Sequence, residues 1–322
     1  MVSRQGQLLK LYLQAQRRFS HPSAPLDVAK QRAELDAWGR RARFKLDVAC
    51  TPADANGVPA EWVDTPGILA GRVLFYLHGG AYVSGSPRTH RALAANLAHV
   101  AGARALTVDY RLAPEHPFPA PVEDATAAYR WLLANDVQPA QTIVAGDSSG
   151  GGLALAILVA LRDAGDPLPA ASVCLSPWTD LAATGESWVA RVKADLILEP
   201  PMLKEAAQLY LGDANPRTPL ASPLYADLAG LPPLFIQVGT DEILLSDATR
   251  LADRAQAAGV DVTLDVWKGM MHGWQLMAKV LPEGRQALDR VGAFIRERVP
   301  EPGVAGAYTH LTTETQTSRR RP

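Results

Sequence analysis

The stretch Gly146-Asp147-Ser148-Ser149-Gly150 sets a hydroxyl in the middle of a turn flanked by glycines. A run of buried-type residues, "QTIVAGD", precedes it, and an apolar run with helical spacing, "GGLALAILVALRDAG", follows. G-x-S-x-G between a strand and a helix is the arrangement that holds a serine out at the carboxyl edge of a sheet as a nucleophile. The glycines are needed because so sharp a turn leaves little room for side chains and strains the central residue. A phosphate-binding turn would also be glycine-rich, but neither G-x-x-x-x-G-K-[ST] nor G-x-G-x-x-G is present here.

A serine hydroxyl is a weak nucleophile and needs a base, which in turn needs an acid to fix its tautomer. For a serine in such an elbow the chain order is Ser, then Asp or Glu, then His. Only His272 and His310 follow Ser148, and His310 lies in a polar terminal stretch, which leaves His272 in "WKGMMHGW". The acid belongs after a strand between them, where "PLFIQVGTDEILLSD" offers Asp241, Glu242 and Asp247. Asp241, at the first loop position, is favoured, with Glu242 as the competitor. Asp247 reads as a cap for the helix that follows. Oxyanion donors are expected from the backbone of Gly79 and Gly80 in "LHGGAYVSG" and from the N–H of Ser149.

These residues need a scaffold, and the pattern around them supplies one. Six β-rich runs, "RVLFYLHGG", "RALTVDYRL", "QTIVAGD", "ASVCLSP", "PLFIQVGT" and "VTLDVWKG", are apolar nearly throughout, as strands covered on both faces would be. Helix-like stretches with apolar residues at helical spacing separate several of them, which predicts a parallel sheet with helices on both faces. "RFKLDVAC" and "EWVDTP" lack an intervening helix and predict an antiparallel start. From about Asp180 to Pro232 no strand pattern occurs, so this segment reads as a helical insertion over the carboxyl ends of the strands. The N-terminal "MVSRQGQLLKLYLQAQRRF" reads as an amphipathic helix and not as a leader.

Composition narrows the function. A formal net charge of -1 with both signs scattered argues against nucleic acid as a partner. The longest apolar run, "GLALAILVAL", is too short to span a bilayer, so no stable membrane insertion is expected. Cys50 and Cys174, both in strand-like contexts, read as buried thiols in a reducing cytoplasm and not as a disulfide or metal site. Acyl transfer by a serine requires neither metal nor organic cofactor, and none is expected.

Five motifs, "HGGA" at 78–81, "DYRLAPEHPFPA" at 109–120, "GDSSGGGLA" at 146–154, "GTDEILLSD" at 239–247 and "HGW" at 272–274, resemble those of the bacterial hormone-sensitive-lipase-like (family IV) carboxylesterases. The resemblance covers roughly residues 30 to 300. It implies an α/β-hydrolase fold: a mostly parallel eight-stranded sheet, helices on both faces and a helical cap. The expected division is N-terminal helices contributing to the cap (1–45), core (46–180), cap insertion (181–230), core (231–300) and a tail (301–322) whose polar, apolar-poor composition reads as disordered. The resemblance further implies a Ser148, Asp241, His272 triad, with Tyr110, Arg111 and Glu115 supporting the site, and it allows a homodimer paired through the last strand and helix. Ala81 stands where a third glycine is often found, and Asp241-Glu242-Ile243 where many relatives have Asp-Pro-Leu, which keeps Glu242 in contention.

The expected reaction is hydrolysis of a small-molecule ester with a short acyl chain, including acetyl esters or lactones, through an acyl-enzyme. Tyr82, Trp178 and Leu196 are candidates to line its pocket. An amidase or deacetylase using the same residues is the alternative, and a non-catalytic receptor on the same fold is a more distant one.

Overall fold

The computed structural model describes residues 2–17, 26–41, 47–69 and 71–299. The tail expected over 301–322 lies outside them. Two helices come first, α1 (Arg4–Arg17) and α2 (Val28–Arg41), followed by the strands β1 (Ala49–Asp54) and β2 (Pro59–Asp64). Then β3 (Val73–Leu77), α3 (Pro87–Ala101), β4 (Arg104–Val108), α4 (Ala120–Ala134), β5 (Thr142–Asp147), α5 (Ser149–Ala164) and β6 (Ala171–Leu175) alternate. An insertion with the short helix α6 (Ser187–Ala190) and α7 (Pro200–Leu211) precedes β7 (Leu234–Gly239), α8 (Leu245–Ala257), β8 (Val262–Trp267) and α9 (Pro282–Arg298).

The strands form one eight-stranded sheet in the order β1-β2-β4-β3-β5-β6-β7-β8. The pairs β1·β2 and β2·β4 are antiparallel and all others parallel, which is the mixed sheet expected from the sequence. With period-2 alternation, successive residues of each central strand serve opposite faces. Phe75, Leu77, Val144, Cys174 and Ile236 join α4, α5 and α8 in one core. Leu74, Tyr76, Ile143, Ala145, Val173, Leu175 and Phe235 join α3 and α9 in the other. Being covered on both sides is why these strands are apolar at consecutive positions. The helix α5 is buried from Ser149 through Val159, so it is apolar all round.

Two sequence expectations need correction. Cys174 is buried, but Cys50 is exposed, because β1 is an edge strand with its residues largely open to solvent. Asp247 does not cap α8; its carboxylate is buried and accepts the N–H groups of Thr179 and Asp180 at 3.0 and 2.9 Å, tying the first turn of α8 to the start of the insertion. Among the described residues no helix is long and apolar enough to cross a membrane.

Phe75 is fully buried and meets Tyr129 of α4 edge-on, with ring centroids 5.7 Å apart. Truncation there leaves a cavity that a packed sheet cannot collapse. Phe75→Ala is expected to destabilise the fold by about 3–5 kcal/mol, read as a lower urea midpoint.

Candidate active site

Ser148 sits between β5 and α5 with φ 53° and ψ −123°, a conformation costly for a residue with a Cβ. Neighbouring backbone holds it there: its N–H donates to the Leu175 carbonyl at 2.8 Å, and its carbonyl accepts the Trp178 N–H at 2.9 Å. The turn closes only because Gly146 and Gly150 lack side chains. A Cβ on Gly146 would lie 2.2 Å from the Gly150 carbonyl oxygen, and one on Gly150 would lie 2.1 Å from that of Leu77.

His272 follows β8 and is buried. Its Nδ1 is 2.9 Å from Glu242 Oε2, and since a carboxylate can only accept, the proton is on Nδ1 and Nε2 is left as the basic nitrogen. The carboxylate hydrogen-bonded to His272 is therefore that of Glu242 and not that of the favoured Asp241. The loop explains the exchange. The Asp241 N–H is pinned to the Met270 carbonyl at 3.0 Å, and its side chain, about a quarter exposed (24%), turns outward to Lys10 of α1 at 2.6 Å. Glu242, with one more methylene, is fully buried and folds back beneath the strand end, where Oε1 accepts the Gly239 N–H at 2.7 Å and the Ser176 hydroxyl at 2.8 Å.

Burial pushes the Glu242 carboxyl up, against the opposing hydrogen bond and charge of His272, and the net displacement is upward. For His272 burial acts downward, but the hydrogen bond and charge of Glu242, with smaller contributions from Asp195 and Asp147, outweigh it and raise the imidazole above its ordinary value.

The oxyanion loop differs in one donor from the sequence reading. The Gly79 N–H donates to Asp147 Oδ1 at 3.0 Å and is thereby committed. Asp147 also accepts the Tyr76 hydroxyl, and His90 Nε2 stands 3.4 Å from its other oxygen. The loop continues through Ala81 and Tyr82 at φ 56° and 63°, both in the left-handed region. Among the described residues, no acceptor is found for the N–H groups of Gly80, Ala81 and Ser149. Below the loop His78 is buried and stacks on Tyr110 at 4.2 Å, while the Tyr110 hydroxyl donates to the His78 carbonyl at 2.6 Å. Burial, followed by the charge of His90, lowers His78 to about 3, so it is neutral packing. Arg111 pairs with Asp124 at 2.8 Å, and Glu115 with Arg32 of α2 at 2.7 Å.

Of the pocket candidates, Tyr82 and Trp178 are buried beside the elbow, Tyr82 stacking on Tyr210 of α7 at 3.8 Å. Leu196 is placed elsewhere, half-buried in a shallow groove with Gln14 and Arg17 of α1 and Val192 and Lys193 of the insertion. A larger cleft of about 720 Å³, lined by Trp62, Arg104 and Trp131, lies at the start of β3 and β4, the end of the sheet away from Ser148. Sequence reasoning missed Asp147 as the anchor of the oxyanion loop, although its place beside Ser148 marked it for attention.

Comparison with known proteins agrees with this fold. A family described as alpha/beta hydrolase fold matches residues 74–276. An acetyl-hydrolase from Streptomyces hygroscopicus is 52% identical over 242 residues, covering 75% of this chain and 81% of that protein. The putative acetyl-hydrolase LipR of Mycobacterium tuberculosis is 39% identical over 274 residues, covering 85% and 89%. A crystal structure of an esterase from the bacterial hormone-sensitive lipase family is 48% identical, with a TM-score of 0.87 over 93% of this chain and 99% of that one.

Asp147 supplies a pH test. Burial raises its carboxyl, but the charge and hydrogen bond of His90 and the hydroxyl of Tyr76 prevail and hold it at about 2. Since the folded value lies below the unfolded one of about 3.9, the stabilisation is complete above that pH and is lost as pH falls toward 2. The stability gap between the wild type and Asp147→Asn should narrow over that window by on the order of 2 kcal/mol, measured by urea unfolding at each pH.

Proposed function

Because the chain belongs to the bacterial hormone-sensitive-lipase-like esterases of the α/β-hydrolase fold, and so is a carboxylic ester hydrolase, we propose that Ser148, His272 and Glu242 form its catalytic triad and that it hydrolyses short-chain acyl esters, acetyl esters among them. The observation that carries the triad is the buried hydrogen bond from His272 to Glu242, at the sheet edge where Ser148 is held in its strained turn. In this reading Ser148 Oγ attacks the ester carbonyl while His272 Nε2 takes its proton. Glu242 keeps the imidazole in the required tautomer and stabilises the imidazolium. The N–H groups of Gly80, Ala81 and Ser149 receive the developing oxyanion, and Gly79 contributes by fixing the loop to Asp147. His272 then returns the proton to the leaving alkoxide, and water repeats the sequence on the acyl-enzyme.

The short-acyl preference is supported by two of the relatives, which are named acetyl-hydrolases, and by the buried aromatic residues Tyr82, Trp178 and Tyr210 packed beside the elbow. The free alcohol and the acid are small neutral or singly charged products, consistent with a near-neutral chain.

Ser148→Ala and Glu242→Gln should each lower kcat/KM for p-nitrophenyl acetate by roughly a thousandfold or more, whereas Asp241→Asn should stay within about threefold. An Asp241→Asn loss as large as that of Glu242→Gln would return the acid role to Asp241. Because His272 must be neutral to act and its value is raised, kcat/KM should fall on acidification with a midpoint above about 6.5. In a chain-length series, acetate and butyrate should be turned over faster than laurate; the opposite order rules out the short-acyl assignment.

A further inference from the structure

The insertion between β6 and β7 reaches the catalytic acid through one buried carboxylate. Asp195, in the otherwise aperiodic stretch between α6 and α7, is fully buried. Its Oδ1 accepts the N–H groups of Ile197 and Leu198 at 3.0 and 2.9 Å, which fixes the local turn. Its Oδ2 accepts the N–H of Ile243 at 2.8 Å, the residue directly after Glu242. The other polar group of that same residue is also taken by the insertion, because the Ser187 hydroxyl of α6 donates to the Ile243 carbonyl. From the outside Arg17 of α1 donates to the Asp195 carbonyl and stands 3.8 Å from Glu199.

Ile243 is thus held at both its N–H and its carbonyl by side chains foreign to the core. A shift of its N–H would move the preceding peptide and with it the Glu242 carboxylate, whose hold on His272 is a single 2.9 Å bond. The core's own grip, from the Gly239 N–H and the Ser176 hydroxyl, is on Oε1, the oxygen that His272 does not use.

We propose that Asp195 is a positioning residue for the ester-hydrolysing site, through which the insertion sets the Glu242 and His272 pair; the assignment rests on the triad proposed above. It gives the insertion a part in the chemistry besides covering the site. The charged groups facing His272 are Glu242 from the loop after β7, Asp147 from the end of β5 and Asp195 from the insertion, with the Lys10 and Asp241 pair next along the loop. All three carboxylates favour the imidazolium, so removing one moves the acid limb of the pH profile downward.

Asp195→Asn is the discriminating change. Its side chain has one acceptor and one NH2 group, so it cannot serve both the turn N–H groups and that of Ile243; one contact becomes donor against donor. Active enzyme is counted by labelling Ser148 with a fluorophosphonate probe, and hydrolysis of p-nitrophenyl acetate is followed per labelled site across pH. We expect kcat to fall about tenfold or more with KM little changed, and the acid limb to move to lower pH. In a Ser148→Ala background, the downfield proton resonance of His272 Nδ1 should shift or broaden when Asp195→Asn is added. An acid limb and a downfield resonance that both stay in place overturn the assignment, whatever happens to kcat. If Asp195→Asn fails to fold, Asp195→Glu decides, since it keeps the charge but displaces the carboxylate from the Ile243 N–H: kcat per labelled site should drop severalfold with the acid limb little moved, and an unchanged kcat overturns the proposal. Wild-type protein that neither labels nor hydrolyses would instead count against the triad, and the proton resonance would still report on Asp195.

Discussion

The hydrogen bond between His272 and Glu242 joins two groups that burial alone would drive toward neutrality, one upward and one downward in pKa. An unpaired carboxylate at that depth would be costly, and so would an unpaired imidazolium. Each therefore depends on the other, and both depend on a loop that returns Glu242 beneath the end of β7. The Gly239 N–H and the Ser176 hydroxyl complete the acceptor capacity of one Glu242 oxygen, which leaves the other to the imidazole. Much of the surrounding structure, from the Met270 carbonyl that turns Asp241 outward to the insertion that holds Ile243, serves to keep that geometry.

A second buried carboxylate organises the opposite side of the site. Asp147 precedes Ser148, yet its contacts are with β3, the loop that follows it and α3, through Tyr76, Gly79 and His90. Ser148 and the loop that begins at Gly79 are consequently parts of one hydrogen-bonded unit: the strand that presents Ser148 also fixes the loop across from it. The division of labour between adjacent residues is the same in both places. At 147–148 one residue anchors the neighbouring loop and the next sits in the strained turn; at 241–242 one faces solvent and the next pairs with His272.

How much of this the sequence discloses varies with the physics involved. Strands covered on both faces announce themselves as unbroken apolar runs, and β3 to β7 fall where "RVLFYLHGG" through "PLFIQVGT" place them; "VTLDVWKG" marks the position of β8, but this strand is half-buried at the sheet edge and not covered on both faces. The glycine pattern around Ser148 likewise encodes the turn directly, because only a missing Cβ permits the close approach. The choice between Asp241 and Glu242 is not encoded that way. It depends on where a tight turn points two consecutive side chains, and that is settled by a carbonyl contributed from Met270, some thirty residues on. From the sequence the Gly79 N–H looks available to an oxyanion for the same reason: nothing local shows that Asp147 accepts it. Asp195 lies in a stretch with no periodicity, so its burial and its long-range contact leave no mark on the pattern around it.

The two insertion contacts on Ile243 also bear on how such a protein can change. Segments outside the central sheet are convenient material for altering substrate range, since they can vary without disturbing the strands. Here Ser187 and Asp195 lie in such a segment while gripping the backbone beside Glu242. A segment exchanged between relatives must therefore bring its own hydroxyl and carboxylate to those two places, or meet a core loop shaped for others. Diversification of the insertion and upkeep of the acid loop are in this way a single inheritance.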